Sequence, residues 1–297
     1  MADLYTDTSS ALIQRLQAFR RAQSAQTLHH QRTRWTYYAV GDPQAEALLL
    51  LHGGGADAEA MFPYIDRLAR DFYVIAPNVP PHLRQLDEAI FGLRALLAYE
   101  KINRTSVVGL AFGAALAQMF IRRFTPMVLD LVISHSVIPS QHLLEYTNMQ
   151  RALIAFYPAP LMNWFSRRAY RRMLAQSTTP APVDTRAFWQ AYFTEALQTR
   201  IGKRHTLARS RIMADYHRIN EFSAKDLNEW YGDMLLIESS QDDVIMAGDR
   251  GAIKGMYPRA FVQTLWGYDH LAPILAADEL AQSIAKFLLK ADLNAPA

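Results

Sequence analysis

Short apolar runs alternate with amphipathic stretches along most of the chain, and this spacing predicts helices laid over both faces of a mostly parallel sheet. Residues 35–40 read as a strand ending at Gly41-Asp42-Pro43, and 47–51 as a wholly apolar strand that stops at His52-Gly53-Gly54-Gly55. A helix is expected over 58–70, a strand over 72–76 closed by Pro77, and a helix over 86–99. A buried strand follows at 105–110, then a helix at 112–123 and a strand at 128–134. After about Pro139 the alternation gives way to helical periodicity, broken by Pro158, Pro160, Pro180 and Pro182. It resumes with strands at 234–238 and 260–265 and closes with an amphipathic helix over 278–290. The expected organisation is an α/β core of residues 35–140 and 227–297, interrupted by a helical cap at 141–226. A helical extension, 1–34, precedes it, with one amphipathic helix around 11–26.

Composition narrows the chemistry more than the architecture. With 297 residues, 51% of them hydrophobic and 20% charged, the chain can bury a sizeable core and lacks the signature of disorder. Cysteine is absent, which removes disulfides, thiolate nucleophiles and cysteine-type zinc sites. A net charge of +3 does not argue for nucleic acid, and no nucleic-acid-binding motif accompanies it. The histidines show no metal-ligand spacing, so neither metal nor cofactor is expected. Asp3 and Asp7 precede any basic residue and no apolar leader follows, so a cytoplasmic location is expected. The longest charge-free, mostly apolar stretch, 105–121, is short for a membrane helix.

The most informative segment is Val107-Val108-Gly109-Leu110-Ala111-Phe112-Gly113-Ala114-Ala115. A buried strand that turns directly into a helix through Gly-x-Ala-x-Gly has small residues where a tight elbow would clash with side chains. In the Gly-x-Ser-x-Gly form of this turn the apex serine is a nucleophile within reach of a histidine, and here the apex is Ala111. Past the strand at 234–238 the chain releases Asp242 and Asp243, at the edge where open α/β sheets bind ligands. Past the strand at 260–265 comes Tyr268-Asp269-His270, and a neutral imidazole near pH 7 both accepts and returns a proton.

With these elements in this order, the chain from Trp35 to Lys290 resembles the α/β-hydrolase superfamily of capped serine esterase or lactonase type, with the nucleophilic serine replaced by Ala111. The resemblance implies a triad of the Ala111 position, Asp242 (with Asp243 as alternative) and His270. It also implies an oxyanion hole formed by the Gly54 and Phe112 amides. Asp269, where the family often has glycine, is a rival carboxylate. A weaker resemblance, through the elbow with Ala115-Leu116-Ala117-Gln118 and the proline-rich turn after Ala76, is to maspardin-like members, which are discussed as binding proteins. Aspartate-nucleophile hydrolases are a third alternative, although Phe112 and the small residues after it look more like the serine class. Ser134 and Ser136, which flank His135, lack elbow glycines and read as packing residues.

The cap carries 13 Lys or Arg against 6 Asp or Glu, so the excess charge of the chain lies there. Arg167, Arg168, Arg171 and Arg172 read as a solvated helix face, with an anionic substrate group or an acidic membrane surface as alternatives. The cap is also rich in aromatic residues, which suggests an apolar pocket above Ala111 formed with His52, Gly53, Gly55, Tyr157, Trp164 and Phe165. The expected activity is hydrolysis of a hydrophobic ester, thioester or lactone by a serine-type enzyme seen here in a nucleophile-to-alanine, inactive form. Retention of His270, Asp242 and the glycine loop favours that history. The alternative is a natural, catalytically silent member that binds a ligand or a protein.

Overall fold

The computed structural model describes residues 2–5, 8–219 and 222–291. In chain order the elements are α1 (Ser10–Ala22), β1 (Gln26–His30), β2 (Thr33–Val40), β3 (Ala47–Leu51), α2 (Phe62–Leu68), β4 (Tyr73–Asn78), α3 (Leu86–Tyr99), β5 (Thr105–Leu110), α4 (Phe112–Arg123) and β6 (Val128–Ser134). Four cap helices follow, α5 (Gln141–Phe156), α6 (Ala159–Gln176), α7 (Val183–Thr199) and α8 (Lys203–His217). The chain then returns to the core with β7 (Met234–Ser239), α9 (Ala247–Met256), β8 (Phe261–Leu265), α10 (Ala272–Leu275) and α11 (Ala277–Leu288).

The strands form one sheet in the order β1-β2-β4-β3-β5-β6-β7-β8, parallel from β4 onward and antiparallel at the β1 and β2 edge. β3 shows why its sequence is continuously apolar. Leu48 and Leu50 enter the hydrophobic cluster on one face with α2 and α11, while Leu49 and Leu51 enter the cluster on the other with α3 and α4. A strand covered on both faces has no solvent side to carry polar residues.

Where both faces are buried, the expected elements match the observed ones. α3, β5, α4 and β6 have the boundaries that periodicity implied. The differences lie where burial is weak. The extension 1–34 is not helical throughout, because α1 stops at Ala22 and Gln26–His30 pairs as an antiparallel edge strand with β2. That strand is mostly polar and exposed and has no glycine at its turn, where Gln31 and Arg32 take φ of 46° and 63°. It thus lacks both the apolar alternation and the turn residues that mark a hairpin in a sequence. The helix expected over 58–70 begins as a short 3-10 turn and becomes α-helical only at Phe62, next to Pro63. Among the described residues no helix is long and apolar enough to cross a membrane.

Candidate functional site

The parallel strands deliver the candidate residues to one edge of the sheet. Ala111 directly follows β5 and His135 directly follows β6, while Asp242 lies just past β7 and His270 past β8. With these strands adjacent in the sheet, the four residues form a row along its C-terminal edge, where open α/β sheets place ligands.

Ala111 is held at φ 48° and ψ −110°, a left-handed conformation that costs a non-glycine residue about 1–3 kcal/mol. The turn exists because the chain on both sides approaches too closely for side chains. A Cβ on Gly109 would lie 2.5 Å from the Gly113 carbonyl oxygen, and one on Gly113 would lie 2.2 Å from that of Leu51. The Ala111 amide donates to the Ser134 carbonyl at 2.8 Å, which ties the elbow to β6. Phe112 opens α4, so its own N–H has no acceptor within the helix. The glycine loop lies against this turn, with a Cβ on Gly54 falling 3.4 Å from Phe112 Cβ and one on Gly53 3.8 Å from Ala111 Cβ.

His270 Nδ1 lies 2.9 Å from Asp242 Oδ2. The other carboxylate oxygen accepts the amides of Val244 at 2.9 Å and Ile245 at 2.8 Å, so the acid is fixed independently of the histidine. Burial would raise the Asp242 pKa, but the bond from His270, its charge and the Ile245 amide outweigh burial and hold the carboxyl below its ordinary value. Asp243 is exposed. Asp269 is used differently. Its oxygens accept the Thr178 amide at 2.7 Å, the Thr179 hydroxyl at 2.7 Å and the Leu271 amide at 2.9 Å, clamping the loop before His270 to the segment between α6 and α7.

Ala111, Phe112, Gly53, Gly54, Gly55 and His270 all line one cavity of about 600 Å³ between the sheet edge and the cap. Its other walls are mainly apolar or small, including Met61, Ala115, Val137, Leu143, Met173, Met213, Val244 and Ile274. Tyr146 and Tyr170 supply its aromatic cap residues. Gly55 makes room for Tyr170, whose hydroxyl would lie 1.6 Å from a Cβ there.

Four of the residues expected in the pocket lie elsewhere. His52 is buried beneath the glycine loop with Nδ1 2.8 Å from the Gly53 carbonyl, and burial together with the Arg209 charge pulls its pKa down to about 3. Tyr157, Trp164 and Phe165 are on the outside of the cap and do not reach the cavity. The aromatic residues that fill the interior instead come from α7, where Phe188, Trp189, Tyr192 and Phe193 are all buried in the core.

Three residues were not legible as part of the site. His135, at φ 51°, has one ring nitrogen 2.7 Å from Ser134 Oγ and the other 2.7 Å from Ser239 Oγ. Its ring packs edge-on to that of His270 at 5.8 Å. Burial and the neighbouring His270 lower its pKa to about 3, so it is a neutral wall of the cavity. Its place directly after a parallel strand was the one available signal. Ser134 is buried against it, as expected of a packing residue, whereas Ser136 lines the cavity. His217, on α8, also lines the cavity, and burial lowers its pKa to about 4.

The third is Arg209, a buried cap residue on α8 that donates to the carbonyls of Gly54 and, at 2.7 Å, Ala56. These two bonds fix the peptide planes of the glycine loop from the cap side. No periodicity marks such a residue, because one arginine in a basic helix looks like any other.

Comparison with known proteins bears on the family. A proline iminopeptidase of Levilactobacillus brevis is 30% identical over 182 residues, covering 52% of this chain and 60% of the peptidase, so the chain spans less than two thirds of that relative. The magnesium-chelatase 30 kDa subunit of Rhodobacter capsulatus is 26% identical over 265 residues, covering 86% of this chain and 90% of the subunit. Among solved structures, a hydrolase from Pseudomonas aeruginosa superposes with a TM-score of 0.72 at 17% identity, over 89% of this chain and 98% of that one. Residues 48–283 match the alpha/beta hydrolase family, a range that runs from β3 through the elbow, the cap and the Asp242–His270 pair into α11, and the chain belongs to that family.

Proposed function

We propose that the chain is a serine-type acyl hydrolase scaffold, of the kind that acts on hydrophobic esters, thioesters or lactones, in which only the nucleophilic oxygen is missing. The observation that carries this reading is the pairing of Asp242 with His270 at 2.9 Å beside a cavity whose floor is the strained elbow at Ala111. A carboxylate held by two backbone amides and one imidazole fixes the tautomer and orientation of that imidazole, which a general base requires. The apolar walls suit a hydrophobic acyl group, and the amides of Gly54 and Phe112 are the donors for its carbonyl oxygen. As it stands the chain binds such a compound without consuming it, because no oxygen at position 111 is present to attack the carbonyl carbon.

The test is Ala111→Ser, assayed with a panel of chromogenic esters, thioesters and lactones. The serine form should gain turnover on the order of 10⁶ over the alanine form. Adding Asp242→Asn should remove about 10⁴ of that gain, while Asp243→Asn should leave it intact. A folded Ala111→Ser protein with no activity across the panel overturns the reading.

A second reading takes Ala111 as the natural residue of a binding member of the family. The magnesium-chelatase subunit, similar along 86% of this chain, favours it, since that relative is named as part of an assembly rather than for a hydrolytic reaction. The same assay separates the two readings.

A further inference from the structure

Helices α5 and α6 meet at Tyr157-Pro158 in a corner whose outer surface is aromatic. Phe156 is 80% exposed and Trp164 48%. The rings run in edge-to-face contact from Phe156 to Tyr157 at 5.3 Å, from Tyr157 to Phe165 at 5.6 Å and from Phe165 to Trp164 at 5.1 Å. Along α5 the exposed apolar surface continues through Leu153 and Met149 to Tyr146, which lines the cavity. Soluble monomers rarely leave a contiguous apolar surface of this kind uncovered.

The charge around it is mainly positive, with Glu145 the one acidic residue at its α5 end. From Tyr146 to Val183 the sequence contains five arginines and no Asp or Glu. At about 100° per residue, Trp164, Phe165, Arg168 and Arg172 fall within one arc of α6, and the buried Leu174 lies outside that arc. The Arg168 guanidinium lies 5.9 Å over the Trp164 ring. Exposed aromatic rings bordered by arginines, whose apolar stems lie along the rings while their charged heads reach outward, suit a surface that is apolar below and anionic at its boundary.

We propose that the α5–α6 corner docks on an anionic lipid surface, the aromatic rings entering the headgroup layer and the α6 arginines pairing with lipid phosphates. The cavity rim at Tyr146 and Met173 then faces the bilayer, so an apolar ligand reaches the cavity without crossing water. A second copy of the chain is a poor occupant because it would set these arginines against their own kind. The proposal rests on the cap surface alone and stands whether or not Ala111→Ser gains activity.

The test is co-sedimentation of the full chain with vesicles of phosphatidylcholine alone or mixed with phosphatidylglycerol, at low and high salt. Binding is expected to the mixed vesicles, weakening with salt. The variant Arg168→Gln/Arg171→Gln/Arg172→Gln should lose about fivefold in partitioning per arginine. The variant Phe156→Ser/Trp164→Ser/Phe165→Ser should lose about a hundredfold or more, with an unchanged far-UV spectrum. Absence of binding to either vesicle, equal binding to both, or full binding by both variants overturns the proposal. So does a parent protein that is dimeric by size-exclusion chromatography and becomes monomeric in the serine variant, which assigns the patch to a second copy.

Discussion

Helices α7 and α8 send charged and aromatic side chains into the core, whereas α5 and α6 keep most of theirs in solvent. From α7, Tyr192 donates to Asp57 at 2.6 Å, and at its end Arg200 contacts Asp57 at 2.8 Å and Glu195 at 2.9 Å. Arg20 of α1 reaches Glu59 and Glu195 of the same cluster, each at 2.6 Å, so the N-terminal helix, the segment after the glycine loop and the cap are joined in one ionic network. From α8, Arg209 holds the glycine loop itself. By contrast, α6 has a single buried residue, Leu174. One cap therefore has two parts, α7 and α8 tied into the core by buried polar bonds, and α5 and α6, which wall the cavity but bury few of their own residues.

The sharpest way to break this comparison is Arg209→Met in the Ala111→Ser background. Freeing the Gly54 and Ala56 carbonyls lets the loop rotate its amides away from the carbonyl oxygen. It should lower kcat by about 10², comparable to the loss of one oxyanion donor. Equal activity with and without Arg209 would show that the loop needs no support from the cap.

Arg200→Gln tests the ionic network by leaving the nearly buried carboxylates of Asp57 and Glu195 short of a partner. A broken buried pair costs about 3–5 kcal/mol, but Arg200 is partly exposed and Arg20 remains on Glu195, so a loss of about 2 kcal/mol is expected in urea unfolding.

A pH titration of stability sharpens the same contrast. His52 and His135 are buried with pKa values pulled down to about 3, whereas an unfolded histidine titrates near 6.5. Below about pH 6.5 the unfolded chain binds protons that the native core refuses, so stability is full above that pH and falls as pH drops toward 3. Thermal unfolding followed between pH 7 and pH 4 should show Tm falling, with a shallower slope in His135→Asn. An unchanged slope in that variant would remove His135 from the account.

The smallest effect is expected on the outer half of the cap. Arg171→Gln on α6 should change stability by less than about 0.5 kcal/mol, as for other surface substitutions. A loss comparable to that of Arg200→Gln would mean that α6 is anchored after all.

How much of this was legible in the sequence follows the same division. The sheet and its covering helices were readable because a strand buried on both faces must be apolar throughout, and the elbow because Gly109 and Gly113 stand where backbone meets backbone. The candidate chemistry, Ala111, His270 and a carboxylate past β7, was readable from residue type and chain order. Edge strand β1 was not, since a polar exposed strand has no hydrophobic signal.

The sequence by itself determined the fold class and the helical insertion between β6 and β7, and narrowed the candidates for chemistry to a small set, because burial and steric exclusion act residue by residue. Only the tertiary structure decided which acid meets the imidazole, since neighbouring residues of a short loop point in different directions and the Val244 and Ile245 amides turn Asp242, not Asp243, inward. It also decided which aromatic residues are buried. Hydrophobicity sets how strongly a side chain seeks an apolar neighbour, but the roll of α7 and α8, held by Tyr192, Arg200 and Arg209 reaching partners far away in the chain, decides whether it finds one there.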